Sequence, residues 1–213
     1  MKNFILLLAV VIFIGCEKEK AELENLTDSK RVVSNYYESG KHSEELTELI
    51  QNFITETKHD DYPNNAAVIF DIDETVLSNY DYIKKIDFGY EYKLWDAYMQ
   101  KASAEAIPEV KNLYTFFLQE HYHIIFLTAR KQSVYDATII NLMKEGFTVF
   151  DTVICKSEDY GGVSSADFKA AERKRLTEAG YEIIATIGDQ NSDLVGEFTG
   201  KKLKLPNYLY RVK

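Results

Sequence analysis

Apolar residues at positions 46, 49, 50, 53 and 54 recur with a period near 3.6, which predicts an amphipathic helix over residues 43–57. Asp60-Asp61-Tyr62-Pro63-Asn64-Asn65 then breaks the chain with strong turn formers. Ala66-Ala67-Val68-Ile69-Phe70 follows as a wholly apolar run, the pattern of a central strand covered on both faces. The alternation repeats downstream. Pro108 is placed to open a helix to about Glu120, ahead of the apolar run 124–127. A helix over 133–144, closed by Gly146, precedes the run 152–155. Another over 166–179, closed by Gly180, precedes 183–187, and 203–205 suits a last edge strand. Strands alternating with helices predict an α/β fold, a parallel sheet with helices on both faces.

In such sheets ligands bind beyond the carboxyl ends of the strands, where strand order reverses. The residues directly after the apolar runs are Asp71-Ile72-Asp73-Glu74-Thr75, Thr128-Ala129-Arg130-Lys131 and Gly188-Asp189-Gln190-Asn191-Ser192-Asp193. All three segments are polar, and the topology sends them to one rim. Asp71 and Asp73, two apart on extended backbone, point to the same side. With Asp189 and Asp193 they form an oxygen-rich set suited to Mg2+ rather than to zinc or copper. The Thr128 hydroxyl and the Lys169 ammonium complete a set able to hold phosphoryl oxygens. A carboxylate nucleophile, Asp71, and a second carboxyl group, Asp73, as acid and then base would divide hydrolysis into two steps. Singly, each segment also suits a turn or a helix cap. Their recurrence in order, each at a strand end, carries the reading.

Composition narrows the class. The chain has 213 residues, enough for one sizeable domain, with 46% hydrophobic and 28% charged residues. A formal net charge of −9 excludes a general attraction to nucleic acid polymers or anionic membranes, so anion binding must be built locally. Lys2 and an apolar run over 4–14, too short to span a bilayer, form a signal-peptide pattern. The ending Phe13-Ile14-Gly15-Cys16 resembles a bacterial lipobox, whose cysteine is acylated and becomes the new N-terminus. The expected organisation is therefore a leader over 1–15, a charged tether over 16–31 and a folded domain over 32–213. With Cys16 lipidated, Cys155 lacks a disulfide partner and reads as a buried strand residue. His121 and His123 lie two apart with no third ligand nearby, which reads as a solvated turn rather than a metal site.

Phe70-Asp71-Ile72-Asp73-Glu74-Thr75-Val76-Leu77 resembles the first motif of class C (DDDD) acid phosphatases, bacterial envelope lipoproteins of the haloacid dehalogenase superfamily. The resemblance runs from about Ala66 to Tyr210. It implies a Rossmann-type fold with small helical cap elements and a magnesium-dependent phosphomonoesterase that works through an aspartyl-phosphate, with a broad or nucleotide-leaning specificity. Asp71 would be nucleophile and metal ligand, and Asp73 general acid/base and metal ligand through its backbone carbonyl. Asp189 and Asp193 would complete the metal site. Thr128 and Lys169 would bind the phosphoryl group, with Lys156 the competing lysine because it directly follows a strand. Trp95 and Tyr210 match aromatic positions of the family's substrate pocket. The implied location is the cell envelope, at the outer membrane or periplasmic face, held by lipid on Cys16. The partners are a small phosphomonoester and the membrane, with the oligomeric state left open. The non-enzymatic alternative is a surface lipoprotein that keeps the fold only to bind a ligand.

Overall fold

The computed structural model of the chain describes residues 23–58 and 62–212. The expected leader and Cys16 lie outside these residues, as does the tether up to residue 22. Among the described residues no helix is long and apolar enough to cross a membrane. Two helices come first, α1 (Leu26–Glu38) and α2 (Lys41–Thr57). Asn25 caps α1, its side chain accepting from the Thr27 amide at 2.9 Å. Residues 26–31, expected in the tether, are thus the first turns of a helix. The misreading has a physical cause: α1 is polar on balance and buries no residue fully, so its composition reads as a tether.

Five parallel strands make the main sheet: β1 (Ala66–Phe70), β4 (His123–Lys131), β5 (Thr152–Lys156), β6 (Glu182–Gly188) and β7 (Lys201–Lys204). Their order is β5-β4-β1-β6-β7. The chain builds outward from β1 through β4 to β5, then returns to the other side of β1. The reversal of strand order falls beside β1, which puts the crevice at its carboxyl end. Register fixes the levels there. Phe70 stands opposite Phe126 of β4 and Ile187 of β6. The Asp71 amide continues the ladder, donating to Ile187 O at 2.9 Å.

Alternate residues of β1 face opposite layers, as the pleat requires. Val68 and Phe70 pack with Ile124 and Phe126 beneath α2, α5 (Pro108–Gln119) and α6 (Tyr135–Lys144). Ala67 and Ile69 pack with Ile125 and Leu127 beneath α7 (Ser165–Glu178). Helices therefore cover both faces, as predicted. Cys155 lies buried on β5, and burial pushes its thiol up to about 11.

Between β1 and α5 the chain makes a small insertion. β2 (Leu77–Ser78) pairs antiparallel with β3 (Glu105–Ala106), and between them lie α3 (Tyr80–Lys85) and α4 (Tyr92–Met99). These are the helical cap elements. Tyr82 stacks on Tyr98 with centroids 4.0 Å apart, and Trp95 tilts against both. A short α8 (Asn191–Leu194) follows β6. His123 Nδ1 lies 2.7 Å from Asp151 Oδ1 at the start of β4.

Entry into β7 depends on Gly200, at φ +59°. A Cβ there would collide with the Ile184 carbonyl and lie 2.7 Å from the Ala185 nitrogen, both backbone atoms of β6. Gly200→Ala is expected to destabilise the protein by about 3 kcal/mol, combining left-handed strain with overpacking. Urea denaturation checks this; an unchanged midpoint would show that the turn can relax.

Candidate active site

Asp71 sits one residue past β1, where its backbone is still bonded into the sheet and its side chain turns up at the rim. The Lys169 ammonium, from the first turns of α7, donates to Asp71 Oδ1 and, at 2.7 Å, to Asp193 Oδ1. All three side chains are more than nine-tenths buried. Lys156 does not compete for this place. Its Nζ donates to the Val163 carbonyl, and it lines a separate cleft with Tyr92 and Tyr160.

Asp193 reaches Lys169 because β6 ends in Gly188. A Cβ at that position would stand 2.5 Å from the Asp193 Cβ. Asp193 also accepts from the Gln190 amide at 2.8 Å, which closes the α8 turn. Beneath it the fully buried Arg173 of α7 donates to the carbonyls of Asp193 (2.8 Å), Val195 and Glu197 (3.2 Å). Asp189 is held by Asn207 Nδ2 at 2.6 Å and by the Thr75 hydroxyl at 3.3 Å.

Carboxylate oxygens of Asp71, Asp189 and Asp193 lie within 4.8 Å of one another. Three buried carboxylates face one buried ammonium, which leaves two negative charges without compensation. Burial consequently drives the Asp71 carboxyl well above its ordinary value; Lys169 opposes the rise, and Asp193 and Asp189 add to it. Asp189 is pushed up to about 6 by burial and by Asp193. Lys169 is raised, because Asp71 and Asp193 outweigh the burial that would lower it. A divalent cation matches the missing charge, and an all-oxygen donor set suits a hard one such as Mg2+.

Asp73 is placed differently. Its carboxylate is outside the cluster of three and faces Arg130, whose Nη2 is 2.7 Å from Oδ1 and Nε 3.0 Å from Oδ2. Asn79 adds a bond at 2.8 Å. Burial would raise this carboxyl, but the Arg130 charge and hydrogen bonds outweigh it and hold the group below its usual range. The Asp73 carboxylate is thus committed to Arg130 and Asn79 and not to the cluster of three. Thr128 stands on β4 between these groups, its hydroxyl accepting from the Arg130 amide at 3.1 Å.

Glu74, Arg130, Arg173 and Asn207 were not assigned roles from sequence. Glu74 lies in the left-handed region at φ 55° and is buried; one oxygen accepts from the Asn79 amide at 2.7 Å, the other from the Tyr210 hydroxyl. Only Arg130 had a visible signal, since it follows Thr128 by two on the same strand. Trp95 and Tyr210 do reach the site. Both line, with all six polar residues singled out from sequence, one cavity of about 480 Å³. The Tyr210 hydroxyl, however, is engaged by Glu74, so this ring stands as wall rather than as a free donor.

The sequence pattern of the haloacid dehalogenase (HAD) superfamily, subfamily IIIB (acid phosphatase), matches residues 14–213, and the chain belongs to that family. It is 36% identical over 155 residues to the stem 31 kDa glycoprotein of Glycine max, covering 70% of this chain and 61% of that one. It is 32% identical over 148 residues to acid phosphatase 1 of Solanum lycopersicum, covering 68% and 58%. The chain thus spans about three fifths of the length of these relatives. Its fold matches the crystal structure of the class C acid phosphatase from Bacillus anthracis with tungstate bound, at a TM-score of 0.68 and 24% identity, covering 87% of this chain and 86% of that one.

The raised carboxyls give a pH signature to the metal-free protein. A folded pKa above the unfolded value means the folded state binds more protons, so this stability is present in acid and lost as pH rises. For Asp189 the loss falls as pH passes through about 6. The melting temperature without divalent cation is expected to fall between pH 5 and pH 7, and added Mg2+ to raise it more at pH 7 than at pH 5. Equal stabilisation at both values would separate the metal from these carboxylates.

Proposed function

We propose that the chain is a magnesium-dependent phosphomonoesterase in which Asp71 is the nucleophile. The observation that carries this is the meeting of Asp71 with Lys169, Asp189 and Asp193 at the end of β1, with Asp73 held apart by Arg130. A site for binding alone would not need two neighbouring carboxylates held apart, one against Lys169 and the other against Arg130.

Asp71, Asp189 and Asp193 would hold the cation, which when bound supplies charge compensation for the cluster and for the phosphoryl oxygens. Lys169 keeps the Asp71 carboxylate oriented, and with the Thr128 hydroxyl it binds the non-bridging oxygens. An Asp71 oxygen attacks phosphorus as the ester P–O bond breaks, and the leaving oxygen takes a proton from Asp73. In the second step water attacks the aspartyl-phosphate and Asp73 takes back a proton, which releases phosphate and restores Asp71. Arg130 lowers the Asp73 carboxyl from its usual range, and its hydrogen bonds fix where that carboxyl stands for the transfer. Trp95, half-buried on α4 at the cavity wall, offers a face to the ring of an aromatic or nucleoside ester.

The lipobox-like Cys16 supports an envelope protein anchored by acyl chains, with the cavity borne on a domain beyond the tether. Labelled palmitate is expected to enter the wild-type protein and not Cys16→Ala; labelling of both would remove the anchor from Cys16.

Turnover of p-nitrophenyl phosphate and of a nucleoside monophosphate is the test of the reaction. Activity is expected to disappear with chelator and return with Mg2+. Asp71→Asn is expected to lower kcat by roughly a thousandfold or more while circular dichroism stays unchanged. Full hydrolysis by that variant would sink the mechanism.

A further inference from the structure

Three cationic side chains line the cavity among the described residues: Arg130, Lys169 and Arg211. Two are committed. Arg130 spends its guanidinium on Asp73 and, at 3.2 Å, on the Thr138 hydroxyl. Lys169 lies between Asp71 and Asp193. Arg211 is exposed and makes no side-chain hydrogen bond or ion pair with any described residue. It is the one cation of the cavity lining left free for a ligand.

Its backbone is nevertheless fixed. After β7 the chain returns across the site as a strap. On one side of Arg211 the Tyr210 hydroxyl is bonded to Glu74, and the Tyr210 carbonyl accepts from Gln190 Nε2 at 3.4 Å. On the other side the Val212 amide donates to Gln190 Oε1 at 3.0 Å. The guanidinium is therefore a permanent charge carried on backbone pinned at both neighbours, which reduces the cost of ordering it around a ligand. In a chain of net charge −9, a lone cation at the cavity wall makes a local anion site.

The Asp71 cluster already provides for the phosphoryl group that reacts, with Thr128, Lys169 and the cation it can hold. We propose that Arg211 forms a second anion subsite, which takes a carboxylate or phosphate carried by the leaving-group part of the ester. The substrate class is thus a phosphomonoester with a second anionic group. Its body would lie along the apolar side chains of Phe88 and Trp95, which line the same cavity. The inference rests on the phosphatase reading and adds to it the charge of the substrate.

The test compares three esters with one leaving oxygen: phenyl phosphate, 4-carboxyphenyl phosphate and 4-(phosphonomethyl)phenyl phosphate. Each is assayed with Mg2+ on the full-length protein, on Arg211→Gln and on Arg211→Lys. The readout is the kcat/KM of each doubly anionic ester relative to phenyl phosphate. Arg211→Gln is expected to lower that ratio about tenfold, chiefly through KM, and Arg211→Lys to restore much of it. The arm that responds more strongly tells whether carboxylate or phosphate is the natural group. Turnover of all three esters with ratios unchanged in Arg211→Gln would overturn the inference and leave the phosphatase reading standing. No turnover of any ester by the wild-type protein would overturn both.

Discussion

A lysine ammonium buried between two aspartates holds three distant parts of this chain in one place. Asp71 belongs to the end of β1, Lys169 to α7 and Asp193 to the turn after β6, and each side chain would be costly to bury alone. Together they still leave the centre short of positive charge, since Asp189 adds a third carboxylate and no second cation. That deficit is what a divalent cation held at the rim would make up. It also explains why the surrounding structure is so heavily bonded. Arg173 holds the turn from below and Asn207 holds Asp189 from above, so the like charges cannot move apart to relieve one another.

The second carboxylate of the Asp-x-Asp pair lives under the opposite rule. Asp71 and Asp73 share a strand end and a burial, yet one is driven up and the other down. Asp73 faces the Arg130 guanidinium and the Asn79 amide, with Arg130 placed two residues beyond Thr128 on the neighbouring strand, whereas Asp71 faces the carboxylates of Asp193 and Asp189. One sheet thereby supplies two carboxyl groups of different proton affinity without separating them into different pockets.

What could be read from residues alone divides along the same physical lines. The wholly apolar run at β1 announced itself because both faces of a central strand are buried, and α5, α6 and α7 carried start or stop residues. Five polar residues at the strand ends were legible because parallel topology sends strand ends to one rim, whereas Lys169, on α7, was placed by the family resemblance. Helix α1 was missed because its sequence is polar on balance, and the tether was drawn too long as a result. The roles of Glu74, Arg173 and Asn207 escaped for a different reason. Each acts on a group far away in sequence, as Tyr210 does on Glu74 and Asn207 on Asp189, and no local spacing marks such a pair.

The central position of β1 has a consequence for how the chain is made. Its hydrogen-bonding edges are completed by β4, more than fifty residues later, and by β6, more than a hundred residues later. Until β6 arrives, Ala66–Phe70 presents an unpaired, entirely apolar edge of the kind that recruits strands from other molecules. An unfinished chain must therefore be kept from its neighbours through most of its synthesis. Such long-range pairing makes collapse into the native sheet slow compared with the rate at which local helices form. The placement that gives Asp71 its rigid seat is the same placement that makes the unfinished molecule prone to aggregate.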